Sequence, residues 1–184
     1  MELILASSSP RRKQLLSEYG FNFTVVTSDY SETAVFDSPE KTVETFAFGK
    51  AKDVFNNTKG NRAVLGADTI VVMDGKILGK PKDKADAIKT LKELSGKTHS
   101  VLTGYALISE DKTLVGHVKT EVTFNPLSSE LISEYVDTGL PLDKAGSYGI
   151  QDGFPLVEKF DGSFYNVVGL PIDIIEKTIK EFIK

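Results

Sequence analysis

The sequence predicts an α/β protein built on a mixed β-sheet with helices packed against it. Three observations carry that prediction. Short apolar runs of strand character are interleaved with helical segments, the order that crossover connections and parallel pairing require. Asp-Gly pairs at Asp74-Gly75 and Asp161-Gly162 read as two-residue hairpin turns, which a purely parallel sheet does not contain. The chain has 184 residues, 40% hydrophobic and 26% charged, enough to bury a substantial core although it has no cysteine to staple it. No linker, low-complexity tract or repeat interrupts it, so residues 1–184 are expected to form a single domain.

Element by element, Leu3-Ile4-Leu5 reads as a buried strand running into the loop Ala6-Ser7-Ser8-Ser9. Ser9 followed by Pro10 is an N-cap with proline at the first helical position, and Gly20 stops that helix after Tyr19. Phe21 to Thr27 is a strand. Ser38-Pro39 repeats the cap signal and opens a helix reaching about Asn56. Ala63 to Met73 is a strand that turns at Asp74-Gly75 and returns through Ile77-Leu78. Asp83 to Leu94 is helical, and Val101–Ile108 and Val115–Phe124 are strands joined at Asp111-Lys112. A short helix covers Ser129 to Val136. Leu156–Phe160 and Phe164–Val168 read as a hairpin around Asp161-Gly162, and the last helix, Ile172 to Ile183, buries Ile172, Ile175, Ile179 and Phe182.

Composition excludes several functions. Without cysteine there is no thiolate nucleophile and no Cys-ligated zinc or iron–sulfur cluster. His99 and His117 form no HExxH pair. A net charge of −4 argues against a broad nucleic-acid or membrane footprint. The acidic start and the lack of an 18-residue apolar run point to a soluble cytoplasmic protein with no membrane partner.

Three placements are hard to explain by folding alone. Arg11-Arg12 stands in the first turn of a helix, where unpaired N–H groups already make the potential positive. Either the arginines are solvated, or loop and helix N-terminus form an anion site that they complete. Lys50 falls on the same helical stripe as Val43, Phe46, Ala47 and Val54, where a lysine must snorkel or meet a partner. Asp68 interrupts an apolar strand, so it must turn to solvent on a bulge, be paired, or perform chemistry. Gly66 and Ala67 beside it leave room for something to approach the backbone. Lys80 adds a cation after the hairpin, Glu32 lies in a polar stretch, and Lys144 to Gly149 has the small residues of a backbone near a ligand.

Lookalikes fail on inspection: Gly96-Lys97-Thr98 lacks the first P-loop glycine, and there is no GxGxxG or GxSxG. Taken together, the cations Arg11, Arg12, Lys50 and Lys80 with the carboxylates Glu32 and Asp68 suggest a polyphosphate site. Cations would neutralise phosphates, and carboxylates would hold a divalent metal or orient a water.

Six ordered motifs spread over nearly the whole chain resemble the Maf family of nucleoside triphosphate pyrophosphatases. They are Leu5–Arg12 (LASSSPRR), Gly66–Val71 (GADTIV), Leu78–Pro81 (LGKP), Leu94–His99 (LSGKTH), Asp143–Gln151 (DKAGSYGIQ) and Val167–Pro171 (VVGLP). The resemblance implies an inosine-triphosphatase-like fold, with an elongated mixed sheet and two lobes around a cleft. It implies hydrolysis of a nucleoside triphosphate between the α and β phosphates, with Mg2+, Mn2+ or Co2+ as divalent cofactor. Asp68 would be the proton acceptor and Glu32 the second acidic residue, the two being the implied metal ligands. Ser7, Arg11, Arg12, Lys50 and Lys80 would bind phosphates. Arg12, Thr69 and Gln151 match the dTTP/UTP branch of the family and not its 7-methyl-GTP branch. Two positions depart from the family pattern: Ser31 replaces one of a pair of carboxylates, with Asp29 as a stand-in, and Asp152 replaces a glycine. The resemblance also brings a homodimer and a link to septum formation, so the alternatives are a nucleotide-binding regulator of cell division with little catalysis and a pyrophosphatase of the 7-methyl-GTP branch.

Overall fold

The computed structural model describes residues 1–33 and 38–184. In chain order the elements are β1 (Glu2–Ala6), α1 (Pro10–Glu18), β2 (Phe23–Val25), α2 (Pro39–Asn57), β3 (Arg62–Met73), β4 (Lys76–Leu78) and α3 (Lys84–Leu94). There follow β5 (Thr98–Ile108), β6 (Thr113–Phe124), α4 (Ser129–Asp137), β7 (Val157–Asp161), α5 (Phe164–Val168) and α6 (Ile172–Phe182), with 3-10 turns at Leu140–Asp143 and Ala145–Ser147. Among the described residues one mixed sheet holds all seven strands in the order β2-β1-β3-β5-β6-β7, with β4 also on β3. β1 is parallel to both its neighbours, and the remaining pairs are antiparallel.

The local signals act as their chemistry requires. Ser9, Ser38, Asp83 and Ser128 each accept a hydrogen bond from the backbone N–H three residues on, at 3.5, 3.1, 2.8 and 3.1 Å. Each such cap is worth about 1 kcal/mol. Asp74 and Gly75 both take positive φ, 49° and 74°, as the tight β3–β4 hairpin demands. The strand expected over Phe21–Thr27 is shorter, Phe23–Val25.

One prediction is overturned. Phe164–Val168 is a helical turn and not the second strand of a hairpin. Ser163 decides the matter: its Oγ accepts from the Asn166 N–H at 3.0 Å and so starts a helix. The Asn166 side chain is then buried, donating to Val101 O and Thr120 Oγ1, both at 3.0 Å. A five-residue segment with four apolar or aromatic residues around Asn166 is too short for periodicity to separate strand from helix, so capping chose between them.

The register of β3 creates an opening. One edge is covered by β5 from Val64 to Val72. On the other edge β1 pairs only as far as Gly66, and β4 begins only at Val71. Residues 67–70 therefore have no neighbouring strand on that side among the described residues, and the chain leaves β1 through Ser7 and β4 through Gly79.

Side chains alternate across the sheet. Under α2, Ile4, Val64, Ala106 and Ile108 pack on Ala47, Ala51 and Val54. The opposite face carries two separate cores. In one, Leu3, Leu5 and Leu65 meet Leu16, Ile175 and Ile179; in the other, Val71, Val101 and Phe124 meet Leu91, Leu94 and Ile132. A polar seam lies between them: Thr69 Oγ1 is 2.9 Å from Thr103 Oγ1, which donates to Asn166 O at 3.0 Å. These two cores are the lobes of the expected architecture.

Candidate active site

A cleft of about 660 Å3 opens at the interrupted edge of β3, between the lobes. Its lining includes Ser7, Arg11, Arg12, Glu32, Lys50, Asp68, Thr69, Lys80 and Gln151, the residues given catalytic, phosphate-binding or specificity roles from the sequence. They come from six separate stretches of chain.

Asp68 sits in unbroken register opposite Gly104 on β5, with no bulge, and its side chain points to the α2 face. It is only 7% exposed, so an unpaired carboxylate would cost several kcal/mol. Lys50 removes that cost. Its Nζ lies 2.7 Å from Asp68 Oδ1 and 2.5 Å from Glu32 Oε1, joining both carboxylates at one ammonium. The helix reaches this close because a Cβ on Gly66 would stand 2.2 Å from Ala47 O, and one on Gly104 the same distance from Val43 O. The space the sequence left beside Asp68 at Gly66 is thus filled by α2 and not by a ligand.

Tyr30 performs a similar service for Glu32. Its ring covers Gly49 of α2, where a Cβ would meet it at 2.4 Å. Ser28, Tyr30 and Glu32 consequently line the cleft, whereas Asp29 and Ser31 do not. The Asp29 N–H donates to Asp53 Oδ2 at 2.8 Å.

Arg12 is held on the other face of β3. Nε donates to Gly169 O at 2.8 Å, one terminal nitrogen to Ser7 Oγ at 3.2 Å and the other to Thr69 Oγ1 at 3.1 Å. Burial lowers the Arg12 pKa and Asp68 opposes the shift, but an arginine remains a cation across the physiological range. Three of its five N–H groups are used by the protein, leaving two to donate into the cleft. Together with the α1 N-terminus this concentrates positive potential at one end of the site.

Across the mouth, Arg11 donates to Asp143 Oδ2 at 3.1 Å. Lys144 holds Asp143 Oδ1 at 2.9 Å and lies 3.5 Å from Asp152 Oδ2. Burial pushes the Asp143 pKa up, but the Lys144 and Arg11 contacts outweigh it and hold the group below its ordinary value. Lys80 is exposed on the opposite wall, where Gly79 O accepts from the Gly146 N–H at 3.1 Å. The sequence marks Asp143 only as a motif residue and Asp152 only as a departure from the family pattern; Arg11 and Tyr135, which hold them in place, lie 132 and 17 positions away along the chain.

Among the described residues no group of three or more His, Asp or Glu side chains could hold a metal ion. The point on which Glu32 and Asp68 converge is taken by the Lys50 ammonium, which leaves one oxygen of each carboxylate unbound by it; such hard oxygen donors are of the kind that suits a divalent cation completed by substrate phosphates. No helix among the described residues is long and apolar enough to cross a membrane.

Residues 2–182 match the family described as Maf-like protein. The chain is 50% identical to the dTTP/UTP pyrophosphatase of Symbiobacterium thermophilum, over 98% of this chain and 94% of that protein. It is 48% identical to the dTTP/UTP pyrophosphatase of Bacillus anthracis, over 98% and 95%. Its fold resembles that of a HAM1 protein from Coxiella burnetii, with a TM-score of 0.55 at 16% identity over 98% of this chain and 99% of that one. The Ham1 protein of Staphylococcus aureus aligns over 68% and 73%, with a TM-score of 0.50 at 15% identity.

Proposed function

The chain belongs to the Maf family, and we propose that it hydrolyses dTTP and UTP between the α and β phosphates, releasing the monophosphate and pyrophosphate. One observation carries the reading: Lys50 gathers Asp68 and Glu32 at a single point beside the Arg12–Ser7 anion site. A triphosphate laid along the cleft would meet cations from Arg11, Arg12, Lys50 and Lys80, with Ser7 and the α1 N-terminus at one end. Asp68 accepts the proton of the attacking water as its oxygen adds to phosphorus, while the α–β bridging bond breaks. Lys50 fixes the orientation of that carboxylate through Oδ1 and leaves Oδ2 for the water. Glu32 and Asp68 would hold the divalent cation, Mg2+, Mn2+ or Co2+, which neutralises charge on the phosphates. Arg12, Thr69 and Gln151 select the pyrimidine nucleotide. Such an enzyme would act on the nucleotide pool of the cytoplasm.

The test is a panel of ribo- and deoxyribonucleoside triphosphates with magnesium or manganese, pyrophosphate and free phosphate being assayed separately. Pyrophosphate should appear from dTTP and UTP, with little from 7-methyl-GTP. In Asp68→Asn turnover should drop at least about 100-fold, the lower end of what a general base contributes. Tight UTP binding with no product from any nucleotide would instead make the protein a nucleotide-binding regulator.

A further inference from the structure

We propose that Asp152, which does not line the cleft, positions Gln151 and thereby sets nucleotide discrimination. The proposal rests on the substrate reading above. Gln151 is exposed on the cleft wall, and its side chain makes no hydrogen bond among the described residues. The backbone of residues 149–152 therefore sets the point from which this side chain reaches into the cleft.

That backbone is closed on a single buried hydroxyl. The Gly149 N–H donates to Tyr135 Oη at 3.0 Å, and the Tyr135 O–H donates to Asp152 Oδ2 at 2.6 Å. The Asp152 N–H returns to Gly149 O at 3.1 Å. Both ends of the turn that carries Gln151 are tied to one side chain of α4. Tyr135 cannot drift, being fully buried, with its ring 4.8 Å from that of Phe154. Burial and the Asp152 carboxylate both raise its pKa, so it stays a donor.

The fit around the carboxylate is close. A Cβ on Gly149 would stand 2.6 Å from Asp152 Oδ1, so a side chain there would push the carboxylate out of its place. The Asp152 side chain is 7% exposed, and Lys144 Nζ at 3.5 Å supplies the countercharge. Lys144 is itself anchored to Asp143, the partner of Arg11. A continuous charged chain thus connects the wall that carries Gln151 with an arginine on the phosphate side.

Steady-state kinetics on dTTP, UTP and 7-methyl-GTP would test this in Asp152→Ala, Asp152→Asn, Tyr135→Phe, Gln151→Ala and the Gln151→Ala/Asp152→Ala double variant. Loss of a buried hydrogen-bonded brace should raise KM for dTTP and UTP about tenfold in Asp152→Ala and Tyr135→Phe. Their preference over 7-methyl-GTP should shrink by a similar factor, while kcat stays within about threefold. Asp152→Asn keeps an oxygen for Tyr135 and should restore most of the preference. Once Gln151 is alanine, adding Asp152→Ala should change the preference no further. An unchanged preference with only a lower Tm, or effects that add in full, would overturn the proposal. Should the wild type release no pyrophosphate, the substrate reading fails, and dTTP Kd values across the same variants decide the positioning role by the same non-additivity.

Discussion

Lys50 on α2 and Asp68 on β3 meet at 2.7 Å although they belong to different layers of the fold. Their contact depends on two glycines that neither residue touches in sequence. Gly66 lies two positions before Asp68 on the same face, and Gly104 lies opposite it on β5. Both strands present bare backbone to α2, and the helix settles onto them. Cation and carboxylate come together because of what is missing beneath the helix.

The first prediction follows from that spacing. In Gly104→Ala the new methyl would stand 2.2 Å from Val43 O, a backbone atom that can yield only if α2 moves. Overpacking of this kind costs about 3 kcal/mol. A displacement of roughly 1 Å at Lys50 should also reduce turnover by at least about tenfold. Urea unfolding would report the first effect, and turnover per folded molecule the second. Wild-type stability together with full turnover would show that the helix does not depend on the glycine.

What the sequence revealed and what it hid divide along physical lines. Asp68 stood out because a carboxylate inside an apolar strand is costly, and Lys50 because helical periodicity placed it on a buried stripe. Arg11 and Arg12 stood out against the helix potential. Each is a conflict visible within a few residues. The meaning of Gly66 was not visible, since its open space is claimed by a helix whose distance from the sheet no local pattern encodes. Phe164–Val168 was misread because a five-residue segment, Phe-Tyr-Asn-Val-Val, is too short for its pattern to tell strand from helix. Asp143 pairs with Arg11 across 132 positions of chain, so only the assembled fold brings them together.

That long-range pair carries the second prediction. Arg11 and Asp143 bridge the mouth of the cleft with side chains 25% and 61% exposed. Water screens such a pair, so Asp143→Asn should alter stability by less than about 1 kcal/mol. Binding should change more. Freed from its carboxylate, Arg11 gains positive potential toward phosphates, and KM for a nucleoside triphosphate should fall by about threefold at low ionic strength. The advantage should fade as salt is added. A KM that rises in Asp143→Asn would mean that Asp143 holds Arg11 ready for substrate, the opposite role.

The last prediction concerns pH. His99 is 2% exposed; its Nε2 lies 2.7 Å from Tyr148 Oη and its ring packs edge-on to Phe124 at 5.0 Å. Its Nδ1 has no hydrogen-bond partner among the described residues. Burial lowers the pKa to about 4, against a weaker upward pull from Glu121. Unfolding restores an ordinary value near 6.5. Between those limits the unfolded chain binds a proton that the folded one refuses, so stability falls as pH drops from about 6.5 toward 4. The full penalty is on the order of 3 kcal/mol and is absent above about pH 7. Urea midpoints of wild type and His99→Gln, measured at neutral and at mildly acidic pH, separate this group from the carboxylates. The wild type should lose more stability on acidification than the variant, which has nothing to protonate at that position. Equal losses in the two proteins would place the acid sensitivity elsewhere.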